Sequence, residues 1–327
     1  MHKYIFKQIK MAQNYHFKKR NDTFAPLINY DTMKKVITLF FATLLLLSSC
    51  SSVPLTGRKQ VLLVSDSEVL SSSLTQYDSY IKSATKSTNQ AQTAMVVRVG
   101  KKIAAATEAY LRQNGLESEI KNFSWEFNLV KDSQVNAFCM PGGKIVVYEG
   151  LLPYVSSDDE LAVVIGHEVA HAVAKHSNER MSQQLLAQYG AAIVGQALSA
   201  KSAAIQQLGN TVYGLGAQYG VTLPFSRKHE SEADYMGLVF MAMAGYNPDV
   251  ALNFWQKMSS GNSSTVPEFM STHPSDATRI ADIRKHLAEV EKYRKVSTAT
   301  TTSTKATTTK STKKTTTSTK RTQTRRK

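Results

Sequence analysis

A chain of 327 residues with 42% hydrophobic side chains is long enough to bury a sizeable core, and its net charge of +15 invites a nucleic-acid reading. The distribution of that charge argues against one: residues 1–49 hold eight Lys/Arg and two acids, residues 296–327 hold nine Lys/Arg and no acid, and the 23 bases and 23 acids between them cancel. A neutral body between basic ends lacks the folded cationic face that nucleic-acid binding needs.

In chain order, residues 1–32 contain Lys18-Lys19-Arg20 and no long apolar run, so they read as a mis-started extension with translation beginning at Met33. Residues 33–49 then read as a signal peptide: Met33-Lys34-Lys35 is basic, Val36 to Leu47 is a twelve-residue apolar stretch too short to span a bilayer, and Leu47-Ser48-Ser49-Cys50 matches a bacterial lipobox. Cys50 is therefore the expected lipidation site. Cys139 is then the only other cysteine and has no intramolecular partner. No His is placed beside it, so a thiol nucleophile is not expected.

Residues 50–92 form an anchor-proximal segment and 93–295 the main domain. Met95, Val96, Val99, Ile103, Ala104 and Leu111 recur at helical spacing, predicting a helix from Thr93 to Asn114 that stops at Gly115. Ser124 to Val130 alternates as a strand. Asn136 to Tyr148 reads as two short strands around Pro141-Gly142-Gly143, a hairpin that can offer an edge, between Asn136 and Gly143, to an extended peptide. Ser157 with Glu160 forms a candidate capping box ahead of Leu161, Ala162, Val163, Val164 and Ile165, predicting a buried helix.

That helix carries His167-Glu168-Val169-Ala170-His171. Positions i and i+4 share a helix face, so both imidazoles can reach one ion, with Glu168 beside them as a general base for water. A metzincin-type third ligand would require Gly at 174 and His at 177; Ala174 and Ser177 stand there, and His176 reads as a solvated helix-end residue. Met181 to Gly220, broken by Lys201 and several Gln, reads as one or two helices covering the cleft. Arg227 to Asp234 opens a further helix on which Glu230 and Asp234 share a face, Glu232 reads as solvated, and His229 is a competing ligand about 100° from Glu230. Ser271 to Ile280 places His273 in a loop before Pro274, with Ser275 capping the final helix and Arg279 within reach of Asp276. The last 32 residues, 15 of them Thr, have almost no apolar side chains and predict a disordered basic tail over 296–327, suited to anionic envelope polymers or lipids or to no partner at all.

The pairing of HEVAH with the later ESEAD resembles the zinc endopeptidase family of HtpX, BepA and the CAAX prenyl protease, to which the mitochondrial inner-membrane quality-control peptidase also belongs. NAFCMPGG and HPSDATR resemble further motifs of that family. The resemblance implies an α+β, mainly helical zincin-type (gluzincin) domain with a small β-sheet edging the cleft. It also implies one Zn2+ held by His167, His171 and Glu230, with Asp234 orienting an imidazole. By the same resemblance Glu168 is the catalytic base, His273 either aids an oxyanion or caps the metal, and Arg279 contacts the oxyanion or substrate. Extended or unfolded polypeptides would be the substrates, misfolded or misassembled envelope proteins among them. With Cys50 lipidated, the expectation is a periplasm-facing protein, anchored in the outer membrane more readily than the inner. Two alternatives stay open: a chaperone or assembly factor with a His-capped latent site, and a tethering lipoprotein with structural zinc. An intact Glu168 speaks against the latter.

Overall fold

A computed structural model of the chain describes residues 50–186, 226–259, 268–273 and 277–311. A short antiparallel pair, β1 (Cys50–Ser52) and β2 (Lys59–Val61), precedes α1 (Asp66–Ser83) and α2 (Gln90–Gln113). The one-turn α3 (Glu117–Ile120) leads into β3 (Glu126–Val130), β4 (Ala137–Met140) and β5 (Lys144–Tyr148), and a 3-10 turn follows over Glu149–Tyr154. The metal-motif helix α4 (Asp158–Val173) comes next, and residues 176–186 are helical after a bend. The remaining helices are α5 (Arg227–Met243), α6 (Val250–Ser259), α7 (Glu268–Thr272) and α8 (Ala277–Ser311). The architecture is α+β, mostly helical with two small sheets.

The three-stranded sheet has order β3-β5-β4, with β3 parallel and β4 antiparallel to β5. All five residues of β5 are buried, as a central strand requires, and β4 lies at an edge. Its turn depends on glycine: Gly142 and Gly143 have φ of +97° and +77°, and a Cβ on Gly143 would lie 2.6 Å from the Trp125 ring. The hairpin therefore forms as its sequence predicts.

Helix α2 buries Val96, Val99, Ile103 and Leu111 completely, and α4 is apolar on nearly every side, with Leu161, Ala162, Val164 and Ile165 fully buried. A helix hydrophobic all round belongs inside a core, and α4 packs between α2, α5, α6 and the sheet. Ser157 accepts from the Glu160 N–H as predicted, but Glu160 takes the N–H of Ser156 and the Lys257 ammonium, so the reciprocal half of the box is absent. The complete capping box is at Ser65 and Glu68, opening α1.

Helices α4 and α5 cross at two glycines. A Cβ on Gly237 would meet His167 N at 2.8 Å and Gly166 C at 2.9 Å, so the backbones touch where the metal motif begins. Glycine at this point lets the ligands of two helices converge.

Helix α8 buries Ile283 and Val290 on the core and continues to Ser311, into the tail for which composition predicts no order. Extending a docked helix avoids the cost of nucleation, which composition alone does not register. The signal peptide, Lys201 and most of the Met181–Gly220 stretch, Pro274, Ser275 and Asp276, and residues 312–327 lie outside the described residues. No helix among the described residues is long and apolar enough to cross a membrane.

Candidate metal centre

His167, His171, Glu230 and His273 converge in the interior, each 3% exposed or less. The Nε2 atoms of His167 and His171 are 3.0 Å apart, and the Glu230 carboxylate lies 3.3 and 3.4 Å from them. His273 Nδ1 completes the group, 3.2 Å from His167 Nε2 and 3.1 Å from Glu230 Oε1. Four ligands about 2.0–2.1 Å from a tetrahedral ion are separated from one another by about 3.3 Å. The separations just given, 3.0–3.4 Å, are close to that figure.

Proton assignments make the case for a cation. Asp234 Oδ1 lies 2.9 Å from His167 Nδ1 and accepts its proton, leaving a lone pair on Nε2. His171 Nδ1 is 2.9 Å from His176 Nδ1, and His176 Nε2 is 2.9 Å from Glu232 Oε2. With Glu232 accepting from Nε2–H, His176 accepts from His171, whose Nε2 also presents a lone pair. Two imidazole lone pairs and a carboxylate thus face each other, an arrangement that repels unless a proton or metal ion lies between them. Glu230 Oε2 and Glu168 Oε1 are buried without a hydrogen bond, as ligands and bases awaiting an ion and a substrate would be.

Electrostatics agrees. Burial pushes against a charged His167, but Asp234 and Glu230 outweigh it and raise its pKa to about 9, so in the metal-free protein a proton takes the place of the ion. Burial holds His171 well below the usual imidazole range. Burial alone would raise Glu230, yet His273, His167 and His171 keep its carboxylate well below the ordinary range.

Glu168 Oε2 accepts the Cys139 N–H at 3.1 Å, and Oε1 lies 3.4 Å from His273 Nε2. Burial raises its pKa, the direction a base working near neutrality requires. The two residues expected at the substrate edge are placed differently. Asn136 Oδ1 accepts from the Ala137 N–H at the start of β4, whereas Gly143 serves the turn and its packing on Trp125.

Several expectations are corrected. Arg279, expected to contact the oxyanion or substrate, is instead turned inward: it is 4% exposed, its Nε and Nη2 grip Asp234 at 2.5 and 2.9 Å, Nη1 lies 3.2 Å from Glu230 Oε2, and the guanidinium stacks 4.2 Å from the Trp255 ring centre, while Asp276 lies outside the described residues. His176 is fully buried, because Lys175 takes a left-handed φ of +58° that breaks the helix and swings the next ring back onto His171. Burial lowers its pKa to about 4, so it is neutral at physiological pH. Glu232 is 8% exposed and holds Arg58, Thr56 and His176 rather than water. His229 is no ligand in this arrangement; its Nε2 pairs with Glu179 at 3.0 Å and its ring stacks on His176. Cys139 contributes its backbone to the site, and burial raises its thiol pKa, which suits an inert thiol.

Residues 84–287 match the family model described as Peptidase family M48. The chain is 37% identical over 182 residues to the mitochondrial metalloendopeptidase OMA1 of Schizosaccharomyces pombe, covering 55% of this chain and 52% of that protein. It is 42% identical over 162 residues to the Arabidopsis thaliana OMA1, covering 50% and 31%. With the beta-barrel assembly-enhancing protease of Yersinia pestis it shares 30% identity over 180 residues, covering 53% and 36%. It spans about half or less of the length of these relatives. With the family model covering more than half of the sequence and the HEVAH and ESEAD residues meeting at one buried centre, the chain belongs to peptidase family M48.

Proposed function

We propose that this protein is a zinc-dependent endopeptidase, anchored in the bacterial envelope by lipid on Cys50, that cleaves extended segments of misfolded or misassembled envelope proteins. One observation carries the activity: four buried ligand groups, one atom of each within 4.8 Å of the others, with a carboxylate oxygen of Glu168 that makes no hydrogen bond beside them. Zn2+, one per chain, would be held by His167, His171 and Glu230 and, when bound, polarises the scissile carbonyl and acidifies the attacking water. Glu168 takes the proton from that water and passes it to the leaving nitrogen. The Cys139 N–H fixes one Glu168 oxygen, leaving the other directed at the reaction. The edge strand β4 offers main-chain pairing to an extended peptide, which gives affinity with little demand on sequence.

The lipid anchor rests on the apolar Val36–Leu47 stretch followed by Cys50, and the envelope setting also on similarity to the beta-barrel assembly-enhancing proteases of Yersinia pestis and Escherichia coli. The OMA1 relatives are mitochondrial by name, so lipid attachment to Cys50 is the discriminating measurement for location. Metal analysis with casein degradation by wild type and Glu168→Gln tests the activity. Zinc retained with turnover lost supports the assignment; equal turnover removes Glu168 from it.

A second reading has its own observation. His273 Nδ1 lies within 3.2 Å of His167 Nε2 and Glu230 Oε1 as a fourth candidate ligand, where an active peptidase needs an opening. Its ring stacks on Phe269 at 4.6 Å, and Arg279 donates to its carbonyl. A chaperone or assembly factor with a capped, latent site would look like this. His273→Ala separates the two readings: casein turnover rises if the ring is a cap that moves, and a cellular role that persists in Glu168→Gln favours the chaperone.

A further inference from the structure

The two histidines of the HEVAH motif are oriented by different means. His167 leans on Asp234, which Arg279 grips. His171 leans on His176, then on Glu232, and Glu232 is held by a turn of the chain that the family match does not include: Thr56 Oγ1 donates to its Oε1 at 2.5 Å, and Arg58 Nε to its Oε2 at 2.7 Å. Arg58 also grips Glu179 with both terminal nitrogens, at 2.9 and 2.7 Å, and Glu179 holds His229, whose ring lies 4.4 Å from that of His176.

The turn is built to deliver these groups. Val53 N–H donates to the Arg58 carbonyl and Gly57 N–H to the Val53 carbonyl, closing a loop in which Leu55 and Gly57 both take left-handed φ. Val53 is 2% exposed and anchored in the core, so the loop is fixed against the domain between β1 and β2.

We propose that Thr56 and Arg58 of the β1–β2 turn, acting through Glu232 and His176, are positioning residues for the metal ligand His171. The proposal rests on the metallopeptidase reading for its purpose and on the described hydrogen bonds for its geometry. A neutral imidazole binds metal through one nitrogen only when the other carries the proton, and the chain Arg58–Glu232–His176 keeps that proton on His171 Nδ1. It does for His171 what Arg279 and Asp234 do for His167. The site is thereby tied to the segment that begins at Cys50, eight residues before Arg58, so a displacement of that segment would reach the metal through three hydrogen-bonded contacts. Losing an outer partner of a metal-ligating histidine typically costs 10–100-fold in metal affinity.

The full chain is tested in two ways. Side-chain 15N NMR of the metal-free protein reads the tautomer of His171, and competition with a chromophoric chelator reads Zn2+ affinity. His176→Phe keeps ring volume and removes the acceptor; the expected result is loss of the fixed Nδ1–H tautomer and at least a tenfold loss of affinity, with part of both regained in His176→Gln. Arg58→Leu is expected to act in the same direction, with Arg58→Lys between it and wild type. Thr56→Val, which removes the bond to Glu232 and a long one from the Arg58 N–H while leaving the guanidinium in place, covers the case in which Arg58→Leu fails to fold. Folded variants that keep the wild-type tautomer and bind Zn2+ within twofold of wild type would overturn the proposal. A wild-type protein with the Nδ1–H tautomer but no affinity for Zn2+ would instead sink the metallopeptidase reading and leave the relay standing.

Discussion

Replacing Gly237 by alanine tests how the site is assembled, because it alters no ligand side chain and presses only on backbone at the helix crossing. The added Cβ would lie 2.8 Å from His167 N and 2.9 Å from Gly166 C, where ordinary contact begins at 3.4 Å. Both obstacles are backbone, so the helices must separate by about 0.6 Å at the crossing; no side chain can swing aside. Overpacking of this kind costs about 1–3 kcal/mol, and replacing glycine within a helix returns about 0.8–1.0 kcal/mol. Net destabilisation is therefore small, about 0–2 kcal/mol. The effect on the site is larger in proportion, since Glu230 and Asp234 ride on the displaced helix and metal–ligand distances tolerate only about 0.2 Å. Calorimetry and chelator competition on the same protein should show a fall in Tm of a few degrees with a tenfold or greater loss of Zn2+ affinity. Gly166→Ala, whose Cβ first meets the Gly237 carbonyl at 3.0 Å, should lose less. Unchanged affinity in Gly237→Ala would refute the argument that contact between the two glycines sets the ligand geometry.

Arg279→Met should destabilise the protein by about 3–5 kcal/mol in urea unfolding, because it leaves Asp234 and Glu230 buried without their guanidinium; a loss under 1 kcal/mol would mean the pair is dispensable. Removing the metal with a chelator should lower Tm, since free Zn2+ at a thousand times Kd stabilises by about 4 kcal/mol, and an unchanged Tm would show that the ion does not bind the folded state selectively. The metal-free protein should also lose stability as pH rises. The folded pKa of His167, about 9, lies above its unfolded value of about 6.5, so this contribution is complete below pH 6.5 and gone above pH 9. The zinc-loaded protein, whose His167 carries no such proton on Nε2, should lack that decline, and parallel stability curves for the two forms would contradict the assignment.

What could be read from the sequence was what local periodicity encodes. The i,i+4 spacing of His167 with His171 and of Glu230 with Asp234 holds in helices α4 and α5, and the Pro-Gly-Gly turn forms its hairpin. The misreadings share a cause: each supposed a neighbour in sequence or open water where a distant segment supplies the partner. Arg279 reaches back 45 residues to Asp234, and Glu232 is covered by Thr56 and Arg58 from about 175 residues upstream. His176 was hidden differently, since on an unbroken helix it would lie about 140° around the axis from His171, and only the left-handed Lys175 brings the rings together. Gly166 and Gly237 did leave a trace, because glycine inside a strongly apolar helix costs about 1 kcal/mol and calls for a packing reason.

The charge balance of the interior explains why so many ionised groups can be buried together. The hydrogen-bonded cluster gathers five carboxylates, Glu168, Glu179, Glu230, Glu232 and Asp234, around two guanidiniums, Arg58 and Arg279. Such an excess of negative charge is costly away from water, and it is not spread evenly. Glu179 and Glu232 share Arg58 on one flank, and Asp234 and Glu230 share Arg279 on the other. Glu230 and Glu168 are each left with an oxygen that makes no hydrogen bond, and these two flank the imidazole nitrogens directly. Arg279 reaches Glu230 from one side only, and a divalent cation at that point would offset the charge that remains. The outer pairs fix the imidazoles, and the two carboxylate oxygens left without a hydrogen bond are those that the proposed peptidase mechanism assigns to the metal and to the proton on Glu168.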